Sequence, residues 1–68
     1  MLTKGMTAEQ VEEMVEVAGW EVLEEEEYEA FDGSMAVSMV VFQGDHAVAF
    51  DLFHGLVDDL QYVPEWAL

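Results

Sequence analysis

Residues 35–53, MAVSMVVFQGDHAVAFDLF, decide the fold. The first eight, MAVSMVVF, are nearly continuous in apolar and β-branched side chains, as expected of a central strand covered on both faces or nearly so. Gln43-Gly44-Asp45 is a tight-turn signal, and HAVAFDLF at 46–53 resumes a strand pattern. Two such strands across a short connection form an antiparallel hairpin. The segments on either side decide what completes it.

On the N-terminal side, Thr7 is followed three residues later by Gln10, a capping-box pattern that starts a helix near Ala8. Val11, Met14, Val15 and Ala18 then form one apolar stripe at helical spacing. Gly19 supplies the residue that tolerates positive φ just past a helix end. The spacing predicts a helix over 8–18. Trp20 and Val22 alternate with Glu21 as a strand would, the pattern dissolves into Glu24-Glu25-Glu26-Glu27, and it resumes with Tyr28, Ala30 and Phe31 before the turn signal Asp32-Gly33-Ser34. Glutamate is disfavoured in strands, so the run reads as an edge strand, a bulge or an exposed hairpin arm.

On the C-terminal side, His54-Gly55 breaks the chain. Residues 56–63, LVDDLQYV, read two ways: Leu56, Val57 and Leu60 suit a helical turn, while Leu60 to Val63 suit an edge strand. The expectation is a strand over the second half, ended by Pro64, with Trp66 and Leu68 folding back onto the body. The whole is expected to be one α+β domain over 1–68, with one N-terminal helix packed on an antiparallel sheet of three to four strands.

The chain has 68 residues, and a chain of that size buries only about 60% of the surface it exposes when unfolded. It contains no cysteine, so neither a disulfide nor a thiolate metal site supports it. Apolar residues make up 53%, with two Trp, two Tyr and four Phe, which excludes a plain acidic disordered tail. Charge is the outlying property: sixteen Asp and Glu face the single cation Lys4, for a net charge of −15. Solubility needs a magnitude of only about 2–8 in a small domain. Direct binding of nucleic acid is excluded as an expectation, because nothing is present to neutralise phosphates. No apolar run approaches the roughly 20 residues that span a bilayer, and the opening MLTKGMTAEQ lacks the apolar core of a signal peptide. The expected location is the cytoplasm of a bacterial host cell, with no membrane partner.

Eleven of the sixteen acids lie between Glu9 and Asp32. On the helix, Glu9, Glu12, Glu13 and Glu16 stand three and four residues apart with no counter-charge, at a cost of roughly 0.2–0.5 kcal/mol per like-charged pair. An extended chain advances about 3.3 Å per residue, close to the roughly 3.4 Å rise per phosphate of one DNA strand. Carboxylates at Glu21, Glu24, Glu25, Glu26, Glu27 and Glu29 can therefore stand in for a row of phosphates. Glu12, Glu13 and Glu16 join them as the expected partner-binding surface, and the expected partner is a basic DNA-binding protein. The bland alternative is a solvated face plus a gatekeeper cluster that blocks edge pairing.

Other candidates carry less. His46 and His54 lack the clustered ligands of a zinc site. Asp45 and Asp58-Asp59 lack the loop of a calcium site. No nucleophile–base arrangement or phosphate loop is present, and so short a chain has little room for a catalytic pocket, so no enzymatic activity, cofactor or metal is expected. Met35 and Met39 read as core.

A short, strongly acidic chain with a good complement of core residues resembles the DNA-mimic inhibitors of bacteriophages and other mobile elements. Among them it is most similar to the small acidic anti-CRISPR proteins, such as those directed against type I-C systems. The resemblance is one of composition over the whole chain and rests on the Glu9–Glu16 face and the Glu21–Glu29 stretch. It implies inhibition by occupancy, the inhibitor filling the basic cleft where a Cas effector subunit reads the PAM or holds target DNA. The competing class is a generic acidic interaction module or a salt-adapted small domain with no mimicry role.

Overall fold

A computed structural model describes residues 2–64 and Trp66. The element order is α1 (Ala8–Ala18), β1 (Glu21–Glu29), β2 (Met35–Phe42), β3 (Ala47–Phe53) and β4 (Leu56–Val63). The four strands form one antiparallel meander in the order β1-β2-β3-β4, an α+β fold with one helix.

The helix has the limits that its sequence signals predict. Gln10 N–H donates to the Thr7 hydroxyl at 3.1 Å, and Thr7 N–H donates to the Gln10 side-chain carbonyl at 2.9 Å, so two donors at the helix start are satisfied reciprocally. Gly19 ends the helix at φ 71°. Val11 is its fully buried residue and packs with Met39 and Val41 of β2, Val48 and Phe50 of β3, and Val57 of β4. Leu2 belongs to the same core, with Met6 and Trp20 packed against it. The strand β1 contributes nothing to that core, and all nine of its residues are exposed.

The sheet register sorts the side chains by face. Met39 pairs with Phe50, Val41 with Val48 and Val37 with Leu52, which puts these residues on the side that α1 covers. The segment before α1 lies along the start of β4: Gly5 N–H donates to the Val57 carbonyl at 2.9 Å, and Val57 N–H donates to the Met6 carbonyl at 2.8 Å. One margin of the sheet is thus partly closed by the chain itself, while β1 forms the other margin.

Three expectations change. The whole of 56–63 is strand, not its second half alone. Two β4 residues, Asp59 and Leu60, stand opposite the single residue Phe50 of β3, with Asp59 at φ 50°. That bulge breaks the two-residue alternation and produces the apparently helical spacing of Leu56, Val57 and Leu60. Trp66 does not fold back, being 87% exposed, while Leu68 lies outside the described residues. Met39 is core as expected, but Met35, at the start of β2 before its pairing with β3 begins, is exposed. Among the described residues no helix is long and apolar enough to cross a membrane.

Candidate acidic interface

Pleating divides the acidic strand between two faces. Glu25 pairs with Met39, Glu27 with Val37 and Glu29 with Met35, so these three share the face that carries α1. Glu24, Glu26 and Glu21 pair with Val40, Ser38 and Phe42 and share the opposite face with Tyr28. The expected single row of phosphate-like carboxylates is therefore two rows, each repeating every second residue. A bulge at Leu23, between the Val22–Val41 and Glu24–Val40 pairs, sets which glutamates go to which side.

The helix brings a further row beside one of these. At about 100° per residue, Glu12, Glu16, Glu9 and Glu13 occupy one continuous flank next to the buried Val11 stripe. Glu12 and Glu16 face Glu25 across a groove of about 510 Å³ between α1 and β1. Its floor is apolar, built from Val11, Val15, Val22, Val37, Met39 and Leu52. Of the nine expected interface residues, the fold brings Glu12, Glu16 and Glu25 to this groove and leaves Glu27 and Glu29 further along the same face of β1. Glu13 continues the helix flank away from the groove. Glu21, Glu24 and Glu26 look out from the other side of the sheet.

Lys4 does not neutralise this region. Its ammonium lies 3.6 Å from Asp58, an exposed pair on β4. Asp58 is directly opposite Asp51 of β3 on the open face of the sheet. Together with Tyr28, Phe31, Phe53 and Asp59 they line a broad concavity of about 690 Å³. The Tyr28 phenol is raised above its ordinary range by partial burial and by the negative charge of Asp51 beside it. Asp51 and Asp58 lie on the two arms of one hairpin and Tyr28 is more than twenty residues before them, and only strand pairing assembles the three. The half of the chain that reads as sparsely charged therefore carries acidic surface too.

At one end of the sheet the two hairpin turns are tied together. His54 Nε2 lies 2.9 Å from Asp32 Oδ2, and Phe31 stacks on Phe53 with ring centroids 5.8 Å apart. Asp32 also accepts from the Ser34 hydroxyl at 2.6 Å and from Ser34 N–H at 3.0 Å. These bonds, the Ser34 hydroxyl first, hold its carboxyl down at about 2. His46 pairs with the adjacent Asp45. Among the described residues no three His, Cys, Asp or Glu side chains are grouped to hold a metal ion.

The groove floor is what sequence reading misses. Val15 and Val37 read as core and Val22 as an alternating strand residue, and nothing in their spacing says that Val15 and Val37 stay only partly buried and Val22 exposed along one groove. No protein-family model, curated protein or solved structure matches the chain.

Proposed function

We propose that this protein is a binding protein and inhibitor that presents carboxylates where a DNA-binding partner expects phosphates. The target class is the basic, PAM-reading cleft of a CRISPR-Cas effector, as the resemblance to anti-CRISPR proteins implies. The observation that carries this reading is that Glu12 and Glu16 on α1 stand across one groove from Glu25 on β1, with Glu27 continuing the strand row along the same face beyond the groove. Glu12 and Glu16 are separated by about 6 Å along the helix. Glu25 and Glu27 are separated by about 6.7 Å along the strand, and two phosphate steps of one DNA strand span about 6.8 Å. Two negative rows flanking a groove are the electrostatic outline of a duplex. A field of this sign also steers association with a basic cleft at low salt.

The test is competition between the protein and duplex DNA for an isolated effector complex, repeated with two double variants. Glu25→Gln with Glu27→Gln is expected to weaken inhibition by at least about tenfold, since removing one partner of a desolvated charge pair costs roughly 2–5 kcal/mol. Glu24→Gln with Glu26→Gln, on the other face, is expected to cost less. Simultaneous binding of protein and DNA at one cleft would defeat mimicry. A salt-adapted domain would instead keep its behaviour toward the effector in both variants and simply need less salt to stay folded.

A further inference from the structure

The apolar floor between α1 and β1 is a feature for which phosphate mimicry has no use, since a duplex backbone offers nothing apolar to imitate. We infer that this groove seats a basic amphipathic helix of the partner protein, in the place that a second helix would fill on this sheet.

Dimensions favour a helix. Four strands about 4.8 Å apart set the outer strand axes about 14 Å from each other, and packed helices lie about 8–10 Å apart. A sheet of this width accepts about two helices on one face, and among the described residues this one carries a single α-helix. The buried core under that helix joins its Val11 to residues of β2, β3 and β4, while every residue of β1 is exposed. Among the described residues no helix covers the β1 side, which is floored by the exposed Val22 and the half-buried Val37, with Val15 on the side wall. Val22 is 40% exposed, an apolar side chain on the covered face of the sheet with no helix above it.

Charge selects the occupant. Glu12 and Glu16 rim the groove on the helix side, and Glu25 rims it on the strand side. An occupant therefore needs an apolar stripe for the floor and Lys or Arg on both flanks of that stripe, which is the helix-in-groove mode of recognition. A second copy of this chain fits poorly, because each copy brings a net charge of −15 and like charges facing each other are unfavourable. The inference rests on reading the acidic field as a partner-binding surface, and adds to it an apolar anchor that fixes register.

The experiment titrates the intact protein, followed by amide NMR, with two synthetic peptides of about four helical turns and identical composition. One has leucine at helical i, i+3, i+4 and i+7 spacing flanked by lysine, and the other is its scramble. The patterned peptide is expected to bind at least about tenfold tighter, as one well-buried leucine suffices for that ratio. It is expected to shift the amides of Val15, Val22 and Val37 and to keep its advantage in high salt, where the charge contribution is screened. Val22→Asp adds a negative charge that attracts either peptide, yet is expected to erase the difference between them. Equal affinity of the two peptides overturns the inference, as does a shift pattern centred on Tyr28, Asp51 and Phe53. Self-association through the groove, seen as a concentration-dependent mass in light scattering, overturns it in favour of a second copy. Loss of DNA competition with patterned-peptide binding intact would retire mimicry and leave the groove assignment standing.

Discussion

Asp32 is the residue whose chemistry the structure defines most sharply. The Ser34 hydroxyl and amide donate to one of its carboxylate oxygens and His54 approaches the other. Each interaction favours the charged form, and the carboxyl titrates at about 2. Because the folded value lies below the unfolded one, the native state binds fewer protons than the unfolded state between the two. The stabilisation is present above about pH 4, the ordinary range of an aspartate, and is lost as pH falls through the folded value. Ser34→Ala removes the strongest of the donors and is expected to raise the Asp32 titration midpoint, read from its carboxyl carbon by NMR. An unchanged midpoint would mean that the Asp32–Ser34 hydroxyl bond within this turn is absent in solution. The other turn of the clasp, between β3 and β4, holds His54 at φ 53° and Gly55 at φ 76°, the paired positive values of a two-residue hairpin turn.

At the scale of elements, α1 is well begun and poorly ended. Its capping box is complete, whereas the last turn has no basic residue and holds Glu16 against the negative end of the helix dipole. Glu16 also stands four residues after Glu12 and three after Glu13. Replacing it by lysine reverses all three effects, so Glu16→Lys is expected to stabilise the fold by roughly 0.3–1 kcal/mol, measured as a shift in the urea midpoint at unchanged slope. The same variant is expected to weaken partner binding, because Glu16 rims the groove. A gain in stability bought with function is the mark of a residue kept for its partner. If Glu16→Lys destabilises the protein, the carboxylate has a local partner in solution and the helix flank is not a free charged surface. The strand β1 shows the same compromise: exposed throughout and rich in glutamate, it resists edge-to-edge pairing while contributing nothing to the core.

At the scale of the whole molecule, the acids lie on both faces of the sheet and on the flank of the helix, and Lys4 is engaged with Asp58. A net charge of −15 on 68 residues repels itself in the folded state more than in the expanded one. Added salt screens charges beyond about 8–10 Å at physiological strength. The melting temperature at pH 7 is therefore expected to rise between low and moderate sodium chloride. Indifference to salt would mean that the field is compensated within the fold. A cationic partner binding the acidic face relieves the same repulsion, so complex formation is expected to raise the melting temperature most at low salt.

The sequence by itself determined the elements whose signals are local. The Thr7–Gln10 box, the Val11 stripe and Gly19 place α1, and the runs at 35–42 and 46–53 with their turn residues place the central hairpin, because capping, periodicity and turn chemistry act over three or four neighbours. It also determined that the protein is acidic. What it left open was everything that depends on register. The bulges at Leu23 and Asp59 exist only relative to the strand alongside, so the faces of Glu24 to Glu27 and the nature of Leu56 to Val63 were undecided until pairing fixed them. Only the tertiary structure set Glu12 and Glu16 across from Glu25, put Asp51 opposite Asp58, and left Val22 exposed and Val37 half-buried on the groove floor. One helix is too narrow for four strands, and where it comes to rest is decided by packing between segments distant in the chain.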